Sequence, residues 1–236
     1  MERLESLVGR LADLLHRPEE EARRARRAAR LSKSDLVTAM VIEFPSLQGT
    51  VGRLYALRDG EEEAVARAIE EQYLPRGSGN ELPETPEGAL LSLAEKLDNL
   101  AGCFVAGLTP SGSEDPYALR RQSQGLFSIL EQREFHLDLE RSVDEALRLY
   151  GAPESGEARS GDARGDEARE QLLDFLRQRL RHFLLNRGHP YDLVDAVLDR
   201  GLRDPLDALR RLLALREARE ESRLQRVYTA FERCYN

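Results

Sequence analysis

The chain has 236 residues, of which 41% are hydrophobic and 33% charged, and its formal net charge is -8. That length is enough to bury a core in one or two domains, and the composition excludes wholesale disorder. Net negative charge excludes coating nucleic acid by bulk attraction, although a local basic patch stays open.

Leu, Ala, Glu and Arg dominate and tryptophan is absent, so a helix-rich protein is expected. Leu4, Leu7, Val8, Leu11, Leu14 and Leu15 recur at three- and four-residue steps and predict an amphipathic helix over 2–15. Pro18 ends it or opens the next helix, in which Glu19–Glu21 precede Arg23, Arg24, Arg26, Arg27 and Arg30. Acids first and bases later suit the helix dipole, and a solvated face is the plain reading of the arginines. Ser32 is placed to cap a helix through Asp35, Val37, Met40, Val41 and Phe44, which Pro45 must break or kink. A helical segment with Arg53, Tyr55 and Arg58 follows, then a helix over 61–73 and a loop over 75–87 dense in Gly and Pro.

An apolar helix is expected over 88–102, carrying Glu95, Lys96 and Asp98. The next begins at Pro116, a residue suited to the first helical position, behind the turn and cap residues Gly112, Ser113 and Asp115. Arg120 and Arg121 lie in its first turns, so positive side chains share a region with the dipole's positive end. That arrangement suits a phosphate, or is simply an exposed arginine pair. Val143 to Tyr150 closes a first unit, and residues 151–166 then lack any large apolar side chain and predict a flexible linker. Helices over 170–185, 191–199, 204–217 and 223–235 follow, the last cut at Asn236 without a cap, as expected of a fragment. No segment alternates with period two for more than a few residues. The fold expected is therefore all-α: a helical domain over 1–150, a linker over 151–169, and a smaller helical region over 170–236.

The chemistry on offer is narrow. His16, His136, His182 and His189 stand at no ligand spacing to one another or to a cysteine, which argues against zinc. No phosphate-cradling glycine motif and no nucleophile elbow occurs. Cys103 and Cys234 form no CxxC pair and fit free thiols. No apolar run reaches bilayer length and no signal-peptide pattern opens the chain, so a cytoplasmic protein is expected. Asp35 and Asp98 each lie in an apolar-rich segment two residues from the chain's only lysines, Lys33 and Lys96. Residues two apart on a helix do not face each other, so a cross-pair between the segments is one outcome, and polar anchor or catalytic dyad are the two readings.

Four ordered segments, Leu31-Ser-Lys-Ser-Asp-Leu-Val-Thr-Ala-Met-Val-Ile-Glu-Phe-Pro-Ser-Leu-Gln-Gly49, Glu71-Gln-Tyr-Leu-Pro-Arg76, Ala94-Glu-Lys-Leu-Asp-Asn-Leu-Ala-Gly102 and Asp115-Pro-Tyr-Ala-Leu-Arg-Arg121, resemble the central region of the beta subunit of bacterial heterotetrameric glycyl-tRNA synthetase. The resemblance implies an HD-like helical domain over 1–150 and the start of the anticodon-binding region over about 170–236. It also implies a ligase that charges tRNA(Gly) with glycine, with ATP and magnesium held by the alpha subunit and no cofactor in this part. The implied partners are tRNA(Gly), the alpha subunit and the remainder of the beta subunit. Ser34 and Asp35 fall at the doublet of HD-type hydrolases and Asp98 at their late aspartate, while Gln72 stands where relatives commonly carry histidine, leaving too few nitrogen ligands for a di-metal centre. Three functions follow. The leading one is tRNA recognition through Arg53, Arg58, Arg76, Arg120 and Arg121, with the arginines of 23–30 as another patch. The others are a residual metal-dependent phosphohydrolase using Asp35 and Asp98, and a purely structural scaffold.

Overall fold

The computed structural model describes residues 1–77, 79, 81–110, 114–151, 163–220, 229 and 233. Among these the architecture is all-α, with no strand. The helices are α1 (Glu2–Leu14), α2 (Glu19–Leu31), α3 (Ala39–Glu43), α4 (Thr50–Arg58), α5 (Glu63–Glu71), α6 (Pro86–Val105), α7 (Leu119–Gln132), α8 (Leu139–Gly151), α9 (Ala163–Leu185), α10 (Tyr191–Leu198) and α11 (Pro205–Glu220). Two 3-10 turns, Ser34–Val37 and Pro45–Leu47, flank α3.

Helix α6 is the axis of the molecule. Fourteen of its 20 residues are buried, on every side of the helix, which marks a helix surrounded by others rather than one with a single apolar stripe. It packs against α1, α2, α5, α7, α8 and α9. Thr85 caps it by accepting the Gly88 N–H at 3.0 Å, and Pro86 takes the first helical position. The residues that helix α2 fully buries against its neighbours are alanines, Ala22, Ala25, Ala28 and Ala29, so the backbones approach closely. One apolar core runs from Leu4 on α1 to Leu212 on α11.

Two expectations give way. The helix expected from Ser32 to Phe44 is a 3-10 turn and a five-residue α3, because Lys33 adopts a left-handed conformation (φ 64°) and Thr38 an extended one. Thr38 rather than Ser32 is the cap, its Oγ1 accepting the Val41 N–H at 3.3 Å. The helix expected from Pro116 starts instead at Leu119, behind a left-handed Ala118 (φ 55°). Asp115 is still its cap, since its carboxylate accepts the N–H groups of Leu119 (2.7 Å) and Arg120 (3.0 Å). Gly112 and Ser113, most of the expected linker and almost all of the expected last helix lie outside the described residues. At the edges of that linker, Gly151 belongs to α8 and residues from Ala163 onward belong to α9.

Helix α9 is docked by two aromatic pairs, Phe175 against Phe104 of α6 (5.4 Å between ring centres) and Phe183 against Phe127 of α7 (5.6 Å). Phe175 and Phe183 are eight residues apart and share a face, and Arg179 stands midway between them on that face.

Candidate nucleic-acid interface

Docking α9 through Phe175 and Phe183 carries Arg179 towards the start of α7. A cleft of about 470 Å³ lies there, lined by Asp115, Arg120, Arg121, Arg179, His182 and Asn186 among others. It shares Arg121, Gln124, Phe183 and Asn186 with a neighbouring cleft of about 580 Å³ that continues past Gly77 and Gly79 to Arg187. Together they form a groove between α7 and α9.

Charge in the first cleft is unbalanced: three arginines face one aspartate. That aspartate is already engaged, both Asp115 oxygens being directed at backbone N–H groups of α7. Arg179 Nε is buried with no hydrogen-bond partner. Burial, with Arg120 as a like-charged neighbour, holds the Arg179 guanidinium below its ordinary pKa. An arginine stays charged in proteins, so this environment is one an anion would relieve. A phosphodiester fits, since guanidinium forks match phosphate oxygens in pairs.

Many of the other arginines are paired internally. Arg23 and Arg24 pair with Glu62 (2.7 Å each), Arg26 with Glu19 (2.6 Å), and Arg27 with Glu61. Within the 23–30 patch, Arg23, Arg24 and Arg27 thus tie α2 to the entry of α5, and Arg26 pairs within α2. A cleft between α1 and α8 also carries Arg10, Arg141 and Arg203, but four acids line it too, and Arg10 is paired with Glu145 and Arg203 with Asp138 (2.9 Å).

Among the five arginines expected from sequence, the structure brings Arg120 and Arg121 into one site. Arg53 is paired with Glu70 (2.6 Å). Arg76 donates to the carbonyls of Gln48 (3.0 Å) and Ser46 (3.5 Å), which ties the α3–α4 connection to the loop after α5. Arg58 is exposed in the last turn of α4. Sequence reading missed Arg179, His182 and Asn186. Arg179 and His182 stand three residues apart on α9, and Asn186 follows four residues later just past its end, a spacing that was the available signal.

The expected HD positions are held by structural contacts. Ser34 donates to the Leu31 carbonyl (2.7 Å). Asp35 is buried, and its Oδ2 accepts the Gly49 N–H at 2.6 Å while Oδ1 has no protein partner. Gln72 is buried and donates to the Ile69 carbonyl (2.7 Å). Asp98 takes a two-point grip from Arg3, 2.6 Å to Nε and 3.1 Å to Nη2, and Arg3 in turn lies 4.2 Å over the Tyr150 ring. The lysine cross-pair goes elsewhere than to the aspartates: Lys33 meets Glu95 at 2.8 Å. Lys96 Nζ donates to Ser92 Oγ and the Leu74 carbonyl, 2.7 Å each. Among the described residues no group of three His, Cys, Asp or Glu side chains is placed to hold a metal ion, and no helix is long and apolar enough to cross a membrane.

The family model for the glycyl-tRNA synthetase beta subunit matches residues 1–199. The glycine–tRNA ligase beta subunit of Desulforudis audaxviator is 46% identical over all 236 residues, and that of Desulforamulus reducens 43%. That of Moorella thermoacetica is 42% identical over 234 residues, 99% of the chain. In each case the match covers 33% of the relative, so the chain spans about a third of the length of these proteins. The chain belongs to the glycyl-tRNA synthetase beta subunit family.

Proposed function

We infer that the chain is a part of a beta subunit that supports tRNA recognition, holding the tRNA phosphate backbone in the α7–α9 cleft. The observation that carries this reading is Arg179, midway between Phe175 and Phe183 on α9 with its Nε unpartnered, in one cleft with Arg120, Arg121 and an aspartate already committed to the helix cap. Such a site attracts a polyanion locally in a chain that repels one overall. On this reading glycine activation, ATP and magnesium belong to the alpha subunit, and the setting is the cytoplasm. Asp35, Gln72 and Asp98 serve the fold.

Replacing Arg121 and Arg179 by glutamine, singly, tests it. Each is expected to weaken low-salt binding of tRNA by about fivefold, the scale of a single phosphate interaction, while Arg27→Gln, which removes a paired arginine, leaves affinity unchanged. Unchanged affinity in both cleft variants would overturn the assignment.

A further inference from the structure

Residues 36–55 expose a concentration of apolar surface that nothing in the tRNA reading uses. Val37 is 82% exposed, Ile42 67% and Phe44 55%, with Met40, Leu54 and Tyr55 also open. More than half of the exposed large apolar side chains among the described residues fall in this one stretch. Singly exposed apolar residues are ordinary, but a contiguous set marks an interaction surface.

The local structure explains the exposure. Helix α3 has five residues, buries only Val41, and packs chiefly on its two flanking 3-10 turns. Several ties hold the stretch to the core: the Gly49 N–H donated to buried Asp35, Arg76 donating to Ser46 and Gln48 from the loop after α5, and Thr50 and Arg53 both bonded to Glu70 of α5. The ridge is thereby pinned at its base while its apolar side chains face outward.

Its chemistry points to protein rather than RNA. Between Leu36 and Tyr55 the charged residues are Glu43, which is exposed, and Arg53, which is already paired with Glu70. A phosphate backbone finds an acid and hydrocarbon there. The relatives are about three times as long as this chain, so most of the protein surface of the subunit lies outside it. A covering segment in the same polypeptide acts at high effective concentration and needs no separate encounter.

We propose that the ridge formed by residues 36–55 is the docking face for another segment of the beta subunit, an apolar protein surface from the remaining two thirds or so of its length. The proposal is independent of the tRNA cleft, which lies on α7 and α9.

Amide hydrogen exchange of residues 36–55 decides it, measured in this chain alone and in a full-length relative whose aligned third is replaced by residues 1–236. Exchange is expected to be slower by about tenfold or more in the longer subunit without alpha subunit or RNA, as for a segment sealed by docking. The unmodified relative gives the same comparison on its own aligned segment should the exchange of parts impair folding. Val37→Glu with Ile42→Glu is expected to leave the melting temperature of the chain alone unchanged and to lower that of the longer subunit. Equal exchange in both proteins would overturn the proposal. So would slowing that needs the alpha subunit or RNA, or slowing in the chain alone that grows with concentration and signals a second copy.

Discussion

Asp98 shows how a buried charge is made tolerable by a partner far away in sequence. Its side chain is 9% exposed and that of Arg3 43%, so removing Arg3 leaves a nearly buried carboxylate without its cation. Arg3→Ala is expected to cost about 2 kcal/mol in chemical denaturation, discounted from a fully buried pair because Arg3 is partly solvated. Lys96 is the opposite case, an ammonium buried with neutral acceptors, and burial pushes its pKa down to about 8. The unfolded chain keeps the ordinary value of 10.5, so between the two the unfolded state binds the extra proton and stability rises with pH. Lys96→Met is expected to remove that rise, on the order of 3 kcal/mol between pH 8 and 10.5, seen as the difference between the two stability profiles. Sequence pointed to Asp35 and Asp98 as buried carboxylates from their apolar surroundings, and to Lys96 only as a cation that could pair with one of them. It did not yield Arg3 and Tyr150, because a pairing 95 residues long depends on how α1 and α8 pack on α6.

At the scale of elements, packing decided what periodicity left open. Most helices follow from their apolar spacing, and all-α was legible because no segment alternates. The start of α7 was not, since Asp115 reaches four and five residues ahead to cap a helix that begins after a left-handed Ala118. The stretch from Ser32 to Phe44 is expected to be one helix because Val37, Met40, Val41 and Phe44 recur at helical steps, yet all of these but Val41 face solvent and an extended Thr38 divides the stretch. Close approach of α5 and α6 rests on Gly88, where an added Cβ would lie 2.7 Å from Glu71 Cβ and 2.8 Å from Thr85 Oγ1. Gly88→Ala is expected to destabilise by about 2–3 kcal/mol in thermal or urea unfolding, the cost of overpacking where two helices meet. Unchanged stability would mean that the two helices part more easily than their close approach suggests.

For the molecule as a whole, the distribution of charge matters more than its sum. A chain with formal charge -8 pairs many of its arginines with its own acids and gathers Arg120, Arg121 and Arg179 in one cleft between α7 and α9. Sequence located half of that site, Arg120 and Arg121. The other half needed the Phe175 and Phe183 packing that brings α9 across the start of α7. The cleft's role is tested most directly by the salt dependence of tRNA affinity, compared between the chain and Arg179→Gln. Log affinity is expected to fall linearly with log salt, with a slope that lessens by about 1 in the variant because one phosphate fewer is neutralised. An identical slope in the two proteins would contradict it.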